Sequence, residues 1–569
     1  MSMTRDEAIA LLTGEGQQFE IVEETVHGVR MRVWKNAMPT MRSMLEASRM
    51  HGDRDFLVYE DERYTFEEHF TIAAGLANRL LDHYGLGKGD RVGIAMRNYP
   101  EWLMSFWAVQ AAGLVAVPLN AWWTAPELDY AIRDSGMKLV VTDGERLAEM
   151  RGTLAELQLP AIAVRSTLEP RPNEEQWQDV LAQLDRSGAL PEVDIAPDDD
   201  ATILYTSGTT GNPKGAVGTN RNHATNLMNT AFGGAIAAVM NPPDPSAPAP
   251  ATPPNPPAGL QTFPFFHIGG LSGLYVSTVF GVRLVLMYKW DPVLAVELIE
   301  REKISSVAGV PTVVRALLET AAREKRDLTS LAGVASGGAP VPPDLITRID
   351  NDFSSKVSPG NGYGLTETTS AVVANGGREY VQKPDSVGRP VVVADVRIVD
   401  PDTNADAKPG AIGEVWVKGP NVVRGYWNKP EATAAAFTDG WFHSGDLGYF
   451  DDDGCLYVVD RMKDVIIRGG ENVYCAEVEA VLFEHPAVAD VALVGVPHKE
   501  LGEEVAAIVV ARDGADATPN DLQQFVAGRL AKFKVPAHVL FWDEPLPRTP
   551  TGKVLKRNLR DDAVKKLGS

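Results

Sequence analysis

The stretch RVGIAMRNYPEWLMSFWAVQAAGLVAVPLN, residues 91–120, decides the fold of this chain. Residues 91–96 form a short apolar run that predicts a buried strand. Residues 99–113 are long enough for a helix and end in glycine, a common helix stop. Residues 114–120 predict the next strand. A strand, a helix of about 10–15 residues and a second strand make a βαβ unit, which predicts a parallel sheet.

The same alternation continues on both sides of this unit and then changes twice. It recurs from residue 283 to 338, whereas from about Val387 short β runs broken by Gly, Pro and Asp predict an antiparallel sheet or barrel. After Arg461 a compact α+β unit of about a hundred residues follows. We therefore predict an α/β protein. Its large N-terminal domain, residues 1–461, has several parts (parallel αβα sheets plus a small β-barrel-like part), and residues 462–569 form a smaller α+β domain.

Composition excludes several classes of protein. The 569 residues are 44% hydrophobic, which is enough for a sizeable core, and the formal net charge of −22 argues against a nucleic-acid surface. Two cysteines favour a reducing compartment. The polar N-terminus lacks the apolar core of a signal peptide, and the most apolar run, residues 273–288, contains Arg283 and is too short to span a bilayer. We expect a cytoplasmic protein without a transmembrane segment; peripheral membrane contact and a homodimer stay open.

One segment departs from globular composition. Residues 241–257 hold nine prolines in seventeen positions. Such a run forms neither a helix nor a central strand, so we expect an exposed insertion loop. An extended segment that docks a partner is the alternative.

The segment YTSGTTGNPKG, residues 205–215, combines glycines, hydroxyl residues and one lysine. Backbone amides in a Gly-rich turn bind phosphate oxygens, and Ser and Thr hydroxyls add donors. A Walker A loop counted from Gly208 would place Gly before Lys214 and Ser or Thr after it. Pro213 and Gly215 occupy those positions. The segment therefore predicts a phosphate loop of another kind.

The segment NGYGLTETT, residues 361–369, offers an aromatic ring and a carboxylate. Tyr363 could stack on a purine, and Thr366 adds a hydroxyl. Glu367 suits Mg²⁺, which takes one or two protein carboxylates beside phosphates. The alternative is a hairpin with a surface glutamate.

The segment GWFHSGDLGYFDDDG, residues 440–454, places Asp446 between a glycine and a leucine. A carboxylate there could accept both hydroxyls of a ribose. The acidic run 451–453 is interpreted as a solvated turn without a role.

Two further segments carry basic residues. In residues 460–479 Arg461 could reach ribose or phosphate, and the Gly469–Gly470 pair allows a close backbone approach. Lys463 lies where the pattern of the chain changes. Lys553 follows a Pro/Thr/Gly turn near the C-terminus, where a lysine is ordinarily a surface residue.

Together these segments resemble the adenylate-forming superfamily, which comprises acyl-CoA synthetases, nonribosomal adenylation domains and firefly luciferase. The resemblance runs from roughly Met41 to Leu559 and rests on motifs in matching order: YTSGTTGNPKG, GYGLTE, SGD, DRMKDVIIRGGENVYCAEVE and PRTPTGK. It implies ATP, Mg²⁺ and coenzyme A as cofactor and co-substrates, with a small carboxylic acid as the partner substrate. Cys475 departs from the pattern, which usually has proline there; a catalytic thiol is not expected.

The resemblance implies roles for named residues. For the phosphates of ATP they are Thr206, Ser207, Gly208, Thr209, Thr210, Gly211 and Lys214, with Thr366 at the α-phosphate. For adenine they are Ser336, Gly337, Gly338, Ala339, Gly362, Tyr363 and Gly364, and for ribose Asp446 and Arg461. Metal ligands are Thr206 and Glu367. The residues implied for catalysis are Lys553, Thr206, Glu367 and His267.

The resemblance also implies a mobile C-terminal domain. Lys463 would be its hinge, and Lys553 would bridge the acid carboxylate and the α-phosphate in the first half-reaction. Rotation would then bring the coenzyme A segment into place, with Arg468, Gly469, Gly470 and Glu471. The acyl pocket would comprise His267, Gly269, Gly270, Gly309 and Val310. Without this resemblance, His267 would be interpreted as a core histidine.

The expected reaction converts an acid, ATP and coenzyme A into acyl-CoA, AMP and diphosphate through an acyl-AMP. The pocket segments are small and apolar and show no evident cation for a second carboxylate, so we expect a medium- or long-chain fatty acid first and an aryl acid second. Carrier-protein loading in trans is an alternative, although we expect no carrier domain after Lys553. A luciferase-like oxygenase and a non-catalytic scaffold are further alternatives.

Overall fold

The structure is a computed structural model. It describes residues 3–206, 212–240, 242, 256–352, 357–549 and 552–568, and the side chains of 350–352 are outside that description. Most of the Pro-rich segment 241–257 therefore lies outside the described residues. Within the described part, no helix combines the length and the apolar character needed to cross a membrane.

The described strands are numbered in chain order. They are β1 Ile21–Val26, β2 Val29–Trp34, β3 Asp55–Tyr59, β4 Glu62–Thr65, β5 Arg91–Ala95, β6 Val115–Pro118, β7 Leu139–Asp143, β8 Ala161–Val164, β9 Glu174–Gln176, β10 Asp200–Thr206, β11 Lys214–Thr219, β12 Ala258–Gln261, β13 Arg283–Leu286, β14 Ser306–Gly309, β15 Gly333–Gly337, β16 Ser358–Leu365, β17 Ser370–Gly376, β18 Arg389–Pro390, β19 Asp395–Val399, β20 Gly413–Lys418, β21 Phe437–Thr438, β22 Trp441–Phe450, β23 Leu456–Arg461, β24 Ile466–Arg468, β25 Glu471–Val473, β26 Val488–His498, β27 Gly502–Ala511 and β28 His538–Phe541.

The described helices are also numbered in chain order. They are α1 Arg5–Thr13, α2 Met41–Ser48, α3 Phe66–Asp82, α4 Pro100–Ala111, α5 Ala125–Ser135, α6 Gly144–Leu157, α7 Trp177–Ala182, α8 Asn220–Met240, α9 Ile268–Phe280, α10 Pro292–Glu302, α11 Pro311–Glu324, α12 Pro343–Asp352, α13 Gly377–Gln382, α14 Pro430–Ala436, α15 Cys475–Phe483, α16 Pro519–Ala527 and α17 Lys556–Leu567. Short 3-10 turns cover Arg49–His51, Thr366–Thr368 and Lys532–Lys534.

The βαβ unit predicted from residues 91–120 is confirmed. Strands β5 and β6 pair in parallel, with Arg91 opposite Val115, and α4 connects them. They belong to a seven-stranded sheet of order β11-β10-β6-β5-β7-β8-β9, in which β10 and β11 are the antiparallel pair. A nine-stranded sheet has the order β18-β17-β16-β15-β14-β12-β13-β3-β4, with a parallel centre and antiparallel edges.

Helix α4 is buried on every side, because all twelve of its residues are buried. Trp102 stacks on Phe265, which precedes α9, with ring centroids 5.0 Å apart, and Trp107 packs edge-on against Tyr275 of α9. One apolar cluster thus includes residues from both large sheets and the helices between them. Burial of each large apolar side chain stabilises the folded state by about 1.5–3 kcal/mol. This layer therefore holds the two sheets together.

The remaining strands form smaller sheets. Strands β19 to β23 make a five-stranded antiparallel sheet, as the Gly-, Pro- and Asp-rich pattern predicted. Strands β24 to β28 make a second five-stranded sheet, packed with α15, α16 and α17 around its own apolar clusters. The predicted class, a large α/β part followed by a smaller α+β part, is confirmed. The boundary at 461/462 stays a prediction.

Parallel strands of both large sheets end near one another. Asn98, after β5, donates from Nδ2 to the carbonyl of Phe263 at 3.0 Å and accepts from the amide of Phe265 at 3.0 Å. These hydrogen bonds join the loop after β5 to the loop after β12. In open α/β sheets, ligands bind in the crevice outside the carboxyl ends of strands. We therefore expect a ligand site in this crevice.

Candidate active site

Asp446 and Arg461 form an ion pair on neighbouring strands. They lie opposite each other on β22 and β23, and Arg461 Nε is 3.2 Å from Asp446 Oδ1. The Tyr363 hydroxyl donates to the other carboxylate oxygen at 2.8 Å. Burial raises the pKa of Asp446, and the nearby Arg461 opposes that change. The structure therefore brings together three residues that the sequence pattern had separated.

Glu367 lies on the 3-10 turn after β16 and is only 8% exposed. Its carboxylate accepts a hydrogen bond from the Tyr426 hydroxyl at 2.7 Å. The turn next to it is strained, because Thr369 has a φ of 46°, which is rare for a β-branched residue. Strain of this kind is tolerated where the surroundings hold the backbone. Because Glu367 is buried, it is not the surface glutamate of a simple hairpin.

The base of the predicted phosphate loop is a hairpin. Thr206 ends β10 opposite Lys214, which begins β11, and the Thr206 hydroxyl donates to the Lys214 carbonyl at 3.4 Å. The Lys214 ammonium lies 4.9 Å from the ring centroid of Tyr426, a cation–π distance. Tyr426 thus contacts both Lys214 and Glu367. The predicted phosphate contacts Ser207, Gly208, Thr209, Thr210 and Gly211 lie outside the described residues.

Close packing favours glycine at two positions of the predicted adenine site, Gly337 and Gly364. A Cβ on Gly364 would lie 1.9 Å from the carbonyl oxygen of Ser370, so the β16–β17 hairpin requires glycine there. A Cβ on Gly337 would lie 3.1 Å from the carbonyl oxygen of Gly362. Ser336 is buried, Ala339 follows the end of β15, and Thr366 opens the 3-10 turn that carries Glu367.

Lys553 reaches this site from the C-terminal part of the chain. Its pKa is lowered to about 8, mainly by burial and next by the positive charge of Arg461, while Asp446 and Glu367 act in the opposite direction. Such electrostatic effects require proximity. The Lys553 ammonium therefore lies within electrostatic range of Asp446, Arg461 and Glu367, and the loop that carries it packs against Val310.

His267 is the N-cap residue of α9. Burial and the nearby Lys553 lower the pKa of His267 to about 3. Its Nδ1 accepts a hydrogen bond from the amide of Gly269 at 3.1 Å, which leaves the proton on Nε2. Its ring stacks on Phe263, with centroids 6.2 Å apart. His267 can donate a hydrogen bond here but cannot supply a positive charge near neutral pH.

Packing explains two glycines of the predicted acyl pocket and locates Val310. A Cβ on Gly270 would lie 2.3 Å from the carbonyl oxygen of Pro264, so this glycine is required by packing. A Cβ on Gly309 would lie 2.7 Å from Val313 Cγ1, so Gly309 leaves room beside that side chain. A Cβ on Gly552 would lie 2.8 Å from Val310 Cγ2, which places Val310 next to the loop that carries Lys553.

The predicted hinge and coenzyme A segment form a turn and a hairpin. Lys463 follows β23 in the turn that leads to β24. Gly469 and Gly470 have φ values of 61° and 88° between β24 and β25, as expected for a two-residue hairpin turn. Arg468 pairs with Glu504 of β27 at 2.9 Å. Glu471 begins β25 and is exposed.

Sequence reasoning missed two residues of this site. Tyr426 lies in a Gly-flanked aromatic loop, a signal too common to single it out. Asn98 follows a buried strand, where a polar side chain at the carboxyl end could have been noted. Neither contact is visible without the tertiary structure.

Comparisons with known proteins agree with this geometry. Residues 45–427 match the family model described as AMP-binding enzyme, and residues 477–553 match that of the AMP-binding enzyme C-terminal domain.

A feruloyl-CoA synthase of Amycolatopsis sp is 37% identical over 501 residues, which is 87% of this chain and 93% of that protein. A long-chain-fatty-acid–CoA ligase of Bacillus subtilis is 34% identical over 92% of this chain and 94% of its own. The solved structure of O-succinylbenzoate coenzyme A synthetase from Bacillus subtilis, in complex with ATP and magnesium ion, is similar with a TM-score of 0.75. It is 30% identical, and the match covers 92% of this chain and 100% of that one.

Proposed function

The chain belongs to the AMP-binding enzyme family, and we propose that it joins a carboxylic acid to coenzyme A while converting ATP to AMP and diphosphate. The observation that carries this proposal is the position of Lys553. The loop that carries Lys553 packs against Val310, and the Lys553 ammonium is within electrostatic range of Asp446, Arg461 and Glu367. That arrangement matches the needs of a reaction in which two anions, a carboxylate and a triphosphate, must approach each other.

In the first half-reaction, a carboxylate oxygen attacks the α-phosphorus in line, and the bond to the bridging oxygen of the leaving diphosphate breaks. The Lys553 ammonium would hold the carboxylate next to the α-phosphate and offset the charge that gathers there. Asp446 and Arg461 would hold the ribose, with Tyr363 beside the adenine. Thr206, Lys214 and the loop between them would restrain the leaving diphosphate.

The residues present fit a magnesium ion. Glu367 would supply one carboxylate, and the Thr206 hydroxyl would add an oxygen ligand. Mg²⁺ usually takes one or two protein carboxylates and completes its shell with phosphates and water. When bound, the ion would offset charge on the phosphate oxygens. The hydrogen bond from Tyr426 to Glu367 would orient the carboxylate toward that position.

In the second half-reaction, the thiol sulfur of coenzyme A attacks the acyl carbon, and AMP leaves. Lys553 would hold the carboxylate in the first half-reaction, so a rotation about Lys463 would have to remove it before the thiol arrives. The hairpin with Gly469 and Gly470 would then approach the acyl-AMP. This is hinge motion that completes a second catalytic arrangement.

For the acid we propose a medium- or long-chain fatty acid. The residues at the predicted pocket, Gly269, Gly309 and Val310, are small or apolar and suit a hydrocarbon. An aryl acid is the second candidate, favoured by the 37% identity to a feruloyl-CoA synthase.

The deciding experiment incubates the protein with ATP, Mg²⁺ and a panel of fatty and aryl acids, with and without coenzyme A. Mass spectrometry should detect a thioester and AMP when coenzyme A is present. Accumulation of acyl-AMP without a thioester would overturn the ligase proposal and favour carrier loading. The acid with the highest kcat/KM identifies the substrate class.

A further inference from the structure

Asp134, near the C-terminal end of helix α5, has a buried carboxylate with partners from two distant segments of the chain. Its Oδ2 accepts a hydrogen bond from the Tyr205 hydroxyl at 2.8 Å, and its Oδ1 accepts one from the Lys429 ammonium at 2.6 Å. The Asp134 side chain is only 8% exposed. Asp134 and Lys429 lie outside the sequence motifs that carry the family resemblance, so their contact is a property of the fold.

Helix α5 holds the base of the predicted phosphate hairpin on both strands. Tyr205, the partner of the Asp134 carboxylate, directly precedes Thr206 on β10. The Tyr130 hydroxyl, on the same helix, donates to the carbonyl of Pro213 at 3.2 Å. Pro213 directly precedes Lys214, the first residue of β11. The helix therefore contacts the chain immediately before each of the two residues that would restrain diphosphate.

The contact with Lys429 holds the segment that carries Tyr426. The Trp427 amide donates to a backbone carbonyl of β11 at 2.8 Å, and its indole Nε1 donates to the carbonyl of Asp134 at 3.2 Å. Tyr426, the residue before Trp427, donates from its hydroxyl to Glu367 at 2.7 Å. The carboxylate of Asp134 is thus connected to the phosphate hairpin on one side and, through this segment, to Glu367 on the other.

The Asp134–Lys429 pair is charged and largely shielded from water. The hydrogen bond to Asp134 raises the pKa of Lys429, so the ammonium keeps its proton at neutral pH. Hydrogen bonds between charged groups are shorter and stronger than those between neutral groups. The pair is therefore a firm connection between α5 and the segment with Tyr426, and the lysine is engaged with a carboxylate of the protein.

We infer that Asp134 and Lys429 are positioning residues for acyl-AMP formation. Their ion pair sets the separation between the hairpin that carries Thr206 and Lys214 and the turn that carries Glu367. Neither residue of the pair has to touch the substrate. The inference rests on the proposed function, because it takes these three residues to bind the diphosphate part of ATP and Mg²⁺.

The two half-reactions depend on this separation to different degrees. Only acyl-AMP formation places a triphosphate between the hairpin and the turn, since diphosphate has left before the thiol attacks. Catalysis by positioning requires that reacting groups be held within a narrow geometry. Loss of the ion pair therefore slows the first half-reaction alone, whereas loss of a residue that only stabilises the fold affects both half-reactions alike.

The test measures each half-reaction separately in Asp134→Asn and in Lys429→Met, which each remove one charge of the pair at similar size. Acyl-AMP formation should be about 10- to 100-fold slower, the range expected when a group is displaced by up to about 1 Å. Thioester formation from preformed acyl-AMP should match wild type. The double variant should lose no more than the more affected single variant, because both substitutions remove the same contact.

A matched control and a milder variant complete the series. Asp129→Asn breaks an exposed ion pair with Arg133 on the same helix, and both of its half-reactions should match wild type. Tyr205→Phe removes one hydroxyl from Asp134 and keeps the ring. It should show the same selective loss to a smaller extent, and it decides the question if Asp134→Asn fails to fold.

Binding gives a readout that needs no turnover. In equilibrium dialysis without acid, ATP should bind more weakly to the folded variants, whereas AMP should bind as to wild type, because ribose and adenine are held elsewhere. Equal losses in both half-reactions, equal losses of ATP and AMP affinity, or no change in any of them would overturn the inference. ATP binding that depends on the pair in a protein that forms neither acyl-AMP nor thioester would contradict the proposed function alone.

Discussion

Arg461 Nε lies 3.2 Å from Asp446 Oδ1, on strands that are paired directly at these two positions. The pair fixes the direction of a buried carboxylate whose second oxygen is held by Tyr363. Because burial raises the pKa of Asp446, the ion pair and this hydrogen bond are what favour its charged form. A charged acceptor held in one orientation suits the two hydroxyls of a ribose.

Asp446→Asn should raise the KM for ATP about 10- to 100-fold. The amide offers one acceptor oxygen in place of two and loses the charge that pairs with Arg461, and hydrogen bonds to charged groups contribute about 1.5–3 kcal/mol. Steady-state kinetics with ATP as the varied substrate measure the change. Asp452→Asn, in the exposed turn after β22, should behave as wild type; equal effects of the two substitutions would contradict the ribose role.

Lys553→Ala should reduce acyl-AMP formation by about 10²-fold or more, the usual effect of removing one group that stabilises developing charge. Conversion of preformed acyl-AMP to the thioester should continue, because the lysine would have left the site by then. Each half-reaction is followed separately by mass spectrometry, with Lys565→Ala as an exposed control. Loss of both half-reactions in a folded variant would rule out the two-conformation role.

The rate of acyl-AMP formation should fall at high pH because Lys553 loses its proton. Its pKa is lowered to about 8, so the ammonium is present below pH 8 and is lost as the pH rises through that value. We therefore expect kcat/KM for ATP to fall above about pH 8, since this parameter reports the free enzyme. Lys553→Arg should remove the limb, whatever its residual rate, because a guanidinium stays protonated. A limb that persists in this variant belongs to another group.

Lys463→Pro should impair thioester formation more than acyl-AMP formation. Proline restricts its own φ and the conformation of the residue before it, which hinders rotation at the turn between β23 and β24. The two half-reactions are measured on the same preparation, and Lys463→Ala serves as a control that keeps backbone freedom. An equal loss in both half-reactions would argue against a hinge at this residue.

Tyr426→Phe should weaken the response to Mg²⁺ while leaving the aromatic ring beside Lys214. The hydroxyl that donates to Glu367 is lost, and a hydrogen bond to a charged group of this kind is worth about 1.5–3 kcal/mol at most. The Mg²⁺ concentration for half-maximal activity should rise several-fold, and excess Mg²⁺ should restore the rate. A loss of activity that Mg²⁺ does not restore would contradict the orienting role.

Much of this molecule follows from local pattern. The run 91–120 predicted its βαβ unit because apolar periodicity reflects which face of an element is buried, and that is a local property. The glycines at 469 and 470 likewise suit the turn between β24 and β25, because a positive φ costs them little. The motifs around Asp446, Glu367 and Lys553 were recognisable as an ordered set rather than one by one.

Only the tertiary structure decided which of these residues meet. Lys553 lies more than a hundred positions after Asp446, and its approach depends on how the last sheet packs against the rest of the chain. Tyr426 carries no distinctive local signal, since its importance lies in its neighbours Glu367 and Lys214. Contacts between distant segments arise from packing of whole elements, which no short stretch of sequence encodes. The motifs were thus determined by the sequence alone, whereas the arrangement of the site was decided by the fold.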